Sequence, residues 1–86
     1  MLDFWFWRDV VGHEVDFIWQ DSEKINLVEI KASQTIMHDM FKGLSYFEKF
    51  DTQSIESKTL VHTGLFNQNR TAGKALSWRH VSFGNE

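Results

Sequence analysis

The feature that most constrains this chain is a change of hydrophobic period near residue 31. Before it, Glu14-Val15-Asp16-Phe17-Ile18-Trp19-Gln20 and Lys24-Ile25-Asn26-Leu27-Val28-Glu29-Ile30-Lys31 are rich in β-branched and aromatic residues. They flank the polar cluster Asp21-Ser22-Glu23, the pattern of a β-hairpin. After it, Ile36, Met37, Met40, Phe41, Leu44, Phe47 and Phe50 recur at three-to-four spacing, which predicts an amphipathic helix over 36–50. Ser33 or Thr35 is its expected cap, and Asp39 lies in its first turn. Gly43 costs that helix about 1 kcal/mol relative to Ala. Close packing on a sheet and a tolerated exposed glycine are equally open readings of it. Residues 4–10 are aromatic on both alternating faces and read as a strand buried on two sides. Downstream, 51–57 reads as a polar loop, 58–62 as a short strand, 67–73 as a second loop and 76–83 as the last strand. The order βββαββ, with a crossover helix between strands three and four, is an α/β (α+β) fold with a mixed sheet.

Eighty-six residues make one small domain. The first strand begins almost at Met1, so the expectation is that 1–86 is the C-terminal piece of a larger chain. A piece of that kind exposes apolar surface and favours a homodimer. Without cysteine there is no disulfide framework and no thiolate metal site, which makes a cytoplasmic setting the default. No apolar run reaches the ~20 residues that span a bilayer, and the first residues lack a signal peptide's basic start. Net charge is −3 but unevenly spread: residues 1–56 carry five Lys/Arg against eleven Asp/Glu, residues 57–86 four against one. A uniform basic surface for nucleic acid is thereby excluded. The P-loop pattern is missing, so this segment does not bind ATP in that way.

The hairpin carries the candidate chemistry. With a two-residue turn at Ser22-Glu23, opposed residues have numbers that sum to 45, which sets Asp16 across from Glu29 and Glu14 across from Lys31 on one face. Val15, Phe17 and Trp19 then share the other face. Opposed Cβ atoms lie about 4.5–5.5 Å apart, so the two carboxylates can reach one ion. Like charges so placed need compensation. A divalent cation, a proton held by a raised pKa and the Lys31 ammonium are the three candidates. Hard oxygen ligands without matching His or Cys suit Mg²⁺ or Mn²⁺ better than Zn²⁺. His13, His38, His62 and His80 lack ligand spacing and read as surface or turn histidines.

Asp16, followed after an interval by Glu29-Ile30-Lys31, resembles the D…(D/E)XK signature of the PD-(D/E)XK nuclease superfamily. Phe6-Trp7-Arg8-Asp9, Gly12-His13-Glu14-Val15-Asp16-Phe17 and Val28-Glu29-Ile30-Lys31-Ala32-Ser33 together resemble the C-terminal domain of unknown function carried by many bacterial and archaeal AAA-type ATPases. That resemblance implies a restriction-endonuclease-like mixed sheet in which Asp16, Glu29 and the Ile30 backbone carbonyl ligate the metal. Lys31 would orient or activate the attacking water, and Tyr46 stands where many relatives carry a tyrosine. Lys42 stands where those relatives often have Gln. The superfamily's helix-borne acid has no counterpart before the first strand, and Glu14 is its candidate substitute.

Two functions follow as expectations. One is a Mg²⁺-dependent phosphodiesterase site, vestigial or conditional, with an ATPase domain upstream in the parent chain. The other is a non-catalytic interaction or dimerisation module on the same fold. Arg70, Lys74 and Arg79, near Trp78 and His80, form a late basic region suited to a phosphate backbone. Trp5, Trp7 and Trp19 read as core or dimer-interface residues.

Overall fold

A computed structural model gives the fold and describes residues 2–50 and 55–81. Strands β1 (Leu2–Arg8), β2 (Glu14–Asp21) and β3 (Lys24–Ile30) form an antiparallel meander. A 3-10 turn (His38–Phe41) and helix α1 (Lys42–Phe50) then cross to β4 (Ile55–His62), which runs parallel to β3. β5 (Gln68–Arg70) and β6 (Gly73–Ser77) follow, then a short 3-10 turn, Trp78–His80. The sheet is mixed, in the order β1-β2-β3-β4-β6-β5. No helix among the described residues is long and apolar enough to cross a membrane.

The expected hairpin register holds near the turn, where Phe17 faces Val28, Ile18 faces Leu27 and Asp21 faces Lys24 across Ser22-Glu23, but the expected Asp16–Glu29 and Glu14–Lys31 pairs are not formed. Ser22 takes φ 59°, the left-handed conformation required at the first central position of a type II′ turn. The crossover is also where the period change placed it. Phe41, Leu44 and Phe47, one face of the helical segment, bury against Val15, Ile18, Ile25, Leu27, Leu60 and Ala75.

Several expectations need correction. The helix is shorter than 36–50 and its first turn is 3-10. Ser33 and Thr35 do not cap it, because the Ser33 hydroxyl is spent within the preceding loop, donating to the Thr35 carbonyl and accepting from the Thr35 N–H. β4 begins at Ile55, inside the expected loop, while 51–54 lie outside the described residues. The stretch 67–73 contains β5, whose Gln-Asn-Arg composition carries no apolar alternation because it is an edge strand away from the helix. The last strand ends at Ser77, and 82–83 lie outside the described residues. The count is therefore βββαβββ.

β1 is not buried on two sides. It is an edge strand, and among the described residues α1 covers one sheet face only. Trp7 packs toward the core, whereas Phe4 (56% exposed) and Phe6 (69%) stand on the other face, with Phe4 stacked on Phe17 at 5.3 Å. His62 is likewise no surface histidine: it is buried, and its Nδ1 accepts the Gly64 N–H at 3.0 Å.

Gly43 settles its two readings in favour of close packing. A Cβ there would overlap the Glu14 carbonyl oxygen and stand 3.4 Å from Glu29 Oε2. Gly43→Ala should therefore destabilise by about 1–3 kcal/mol through overpacking, against a propensity gain of about 1 kcal/mol. Urea unfolding checks this, and a higher midpoint in the variant would contradict the close approach.

Candidate functional site

The site arises from one irregularity in β2. Trp5 pairs with Ile18 and Trp7 with Val15, so Phe6 alone faces both Asp16 and Phe17. This is a β-bulge carried by β2. Because of it, Val15 and Ile18, three apart, are both fully buried on the helix face. The expectation that Val15 lies with Phe17 and Trp19 on the opposite face is thus corrected. Strict alternation fails at the inserted residue.

Beyond Phe17–Val28 the β2–β3 ladder stops, and side chains replace its backbone acceptors. The Asp16 N–H donates to Glu29 Oε1 at 3.2 Å, and the Ile30 N–H donates to Asp16 Oδ2 at 2.8 Å. Each carboxylate thereby satisfies a backbone donor near the other. Asp16 is exposed, whereas Glu29 is only 3% exposed, packed on the core side beneath Gly43.

Burial pushes the Glu29 carboxyl up to about 8, helped by a hydrogen bond and like charge from Asp16 and by Glu14; Lys31 pulls the other way. Lys31 Nζ stands 3.8 Å from Glu29 Oε2. Of the three compensations foreseen for the acids, a proton on Glu29 is favoured by burial and Asp16, and Lys31 favours the charged form. Glu14 does not pair with Lys31. Its carboxylate lies 3.5 Å from the Arg8 guanidinium, the partner that the β1–β2 register sets beside it.

Glu14, Glu29 and Lys31 line a polar cleft of about 180 Å³ with His13, Asp39 and Lys42. Asp39, expected only as a first-turn acid, and Lys42 reach the hairpin through the loop after β3, which no spacing rule encodes, while His13 immediately precedes β2. His13 is held by Asp9, whose carboxylate also accepts the N–H groups of Val11, Gly12 and His13. Burial opposes ionisation of Asp9, but the hydrogen bonds and charge of His13, with the Val11 N–H, keep its pKa below the ordinary value. Gly12, at φ 104°, lets this turn close. The His13 ring stacks on Tyr46 at 3.8 Å, fixing α1 against the turn beside the cleft.

The late basic residues do not join the cleft lining. Arg70 is tied to the Ile36 carbonyl and the Gln68 side chain. Lys74 is exposed on β6, and Arg79 lies over Trp78 at 5.2 Å. Among the described residues no group of three or more His, Asp or Glu converges as a metal cage.

A family model described as a domain of unknown function, DUF4143, matches residues 1–81. The chain belongs to this family. No curated protein and no solved structure matches it. The match spans the bulge, both acids, Lys31 and α1, so the candidate site lies wholly within the DUF4143 domain.

The raised Glu29 pKa makes a signed prediction. A carboxyl whose folded pKa lies above its ordinary 4.5 contributes stability that is complete below 4.5 and is lost as pH rises through about 8. Urea midpoints of the wild type should therefore fall from pH 5 toward pH 8. Glu29→Gln, neutral throughout, should flatten that slope, and equal slopes in the two proteins would exclude a buried protonated Glu29.

Proposed function

We propose that this domain is a restriction-endonuclease-like phosphodiesterase module whose divalent cation sits at the Asp16–Glu29 pair. The observation that carries the reading is the pair itself, two carboxylates held side by side at a strand split with a lysine ammonium alongside. The donor set fits the ion. Mg²⁺ typically takes one or two carboxylates and keeps several waters, so a cage of three acids is not required. Asp16 and Glu29 would hold the cation, with the Ile30 backbone carbonyl as the further oxygen that the family resemblance implies. Binding would displace the Glu29 proton and relieve the like-charge contact.

A cation there would supply Lewis acidity at the phosphoryl oxygen and a bound water of lowered pKa. The chain's own part is electrostatic and positional. Lys31, next to Glu29, is placed to stabilise charge that develops on the phosphate and to orient the attacking water. Glu14 and Asp39 are the further acids of the cleft that Glu29 and Lys31 line, while Asp16 stands outside that lining. In the parent chain we place this domain after an AAA-type ATPase, as the motif string suggests.

Calorimetric titration with Mn²⁺ tests the centre: wild-type protein should release binding heat that Asp16→Asn abolishes, and equal heats would remove the site. Where Mn²⁺-dependent cleavage of DNA is measured, Lys31→Ala should lower it by about 10²-fold.

A second reading, a non-catalytic association module, is favoured by the sheet face opposite α1. Phe4, Phe6 and Ile30 are exposed there beside half-buried Phe17 and Trp19. This reading expects a dimer by light scattering that dissociates in Phe4→Ser/Phe6→Ser. A monomer at all concentrations would overturn it.

A further inference from the structure

The cleft does not end at the acids. A second groove of about 240 Å³ runs along α1, lined by His38, Asp39, Lys42, Ser45, Tyr46 and Lys49. Asp39 and Lys42 line both spaces, so the groove continues the cleft. At 3.6 residues per turn, Lys42, Tyr46 and Lys49 fall within about 60° of arc on one helix face. All three are exposed, as is His38 one turn earlier.

The charge along this groove is graded. Neither Lys42 nor Lys49 has an acidic partner among the described residues, because Glu48, the acid of the same helix, is turned to Lys58 at 2.8 Å. The groove's own acid, Asp39, stands at the end shared with the carboxylate cleft. Lys42 stands at the shared end beside Asp39, and Lys49 carries positive charge along the groove away from it.

We propose that the α1 groove is the track for the sugar-phosphate backbone of a single polynucleotide strand leading from the acid cleft. The inference rests on the phosphodiesterase reading and sharpens it: the substrate is a polymer rather than a dinucleotide or another small phosphodiester. Lys42 and Lys49 are about 10.5 Å apart along the helix axis, more than one phosphate-to-phosphate step of a single strand, so the two lysines meet different phosphates. A dinucleotide with its one internucleotide phosphate at the acids has none left for Lys49. Charge complementarity selects the occupant, since unpaired ammonium groups in line gain most from successive phosphates.

The test is fluorescence anisotropy with a labelled single-stranded oligonucleotide of about a dozen nucleotides, in chelator, across a salt series. Lys42→Ala/Lys49→Ala should weaken binding about tenfold and lower the salt slope by about 1.4, two phosphate contacts at about 0.7 each. Lys24→Ala, which alters a lysine paired with Glu56 at another surface, should bind as wild type does. Unlabelled dinucleotide should fail to compete at concentrations where unlabelled oligonucleotide does. The proposal is overturned if wild type does not bind, if the double variant equals wild type, if Lys24→Ala weakens binding as much, or if the dinucleotide competes equally. Asp16→Asn separates the two proposals. Loss of the Mn²⁺ heat difference with the lysine effect intact removes the metal centre alone, and the reverse pattern removes the track alone.

Discussion

The bulge at Asp16–Phe17 is the constraint on which the rest depends. One added residue turns Val15 to the core beside Ile18, and the β2–β3 ladder ends at Phe17–Val28, short of the expected Glu14–Lys31 pair. The backbone donors released at that point need acceptors, and the structure supplies Glu29 to the Asp16 N–H and Asp16 to the Ile30 N–H. The carboxylates are together because the hydrogen-bond requirement of a splitting hairpin holds them there. A regular ladder would satisfy those donors with carbonyls and leave both side chains free.

That arrangement is held under electrostatic tension. Glu29 is buried beneath Gly43, against Asp16, and the Lys31 ammonium and the Asp16 N–H favour its ionised form. Apolar residues in place of both acids would relieve the like-charge contact but leave the Asp16 and Ile30 N–H groups without these acceptors. Glu29 is a buried carboxyl with a raised pKa in the lining of a polar cleft, a combination that recurs at functional sites. The placement of α1 follows from the same point: only a glycine at 43 lets the helix come this close to β2, and the His13–Tyr46 stack secures it from the other side.

The sheet is unequal on its two faces. α1 covers one with Phe41, Leu44 and Phe47, and the other presents Phe4, Phe6 and Ile30 to solvent. The first strand looks doubly apolar because each face has its own demand, a core on one side and an open aromatic surface on the other. Composition alone reads both as burial.

The chain's order of residues was sufficient for the hairpin, its two-residue turn and register, the apolar helix face and the parallel crossover. These rest on local periodicity and on which side chains tolerate a turn. The expected direct pairing of Asp16 with Glu29 was not formed: the ladder ends one residue before it, and backbone-to-carboxylate hydrogen bonds bring the two acids together instead. β5 was not legible, because a short polar edge strand buries nothing and carries no alternation. Neither was the bulge, which depends on how β1 meets β2. Glu14's pairing with Arg8, the burial of His62 and the entry of Asp39 and Lys42 into the cleft were decided by tertiary structure alone. Each requires segments distant in the chain to pack before the contact exists, and no local pattern encodes the packing that brings them together.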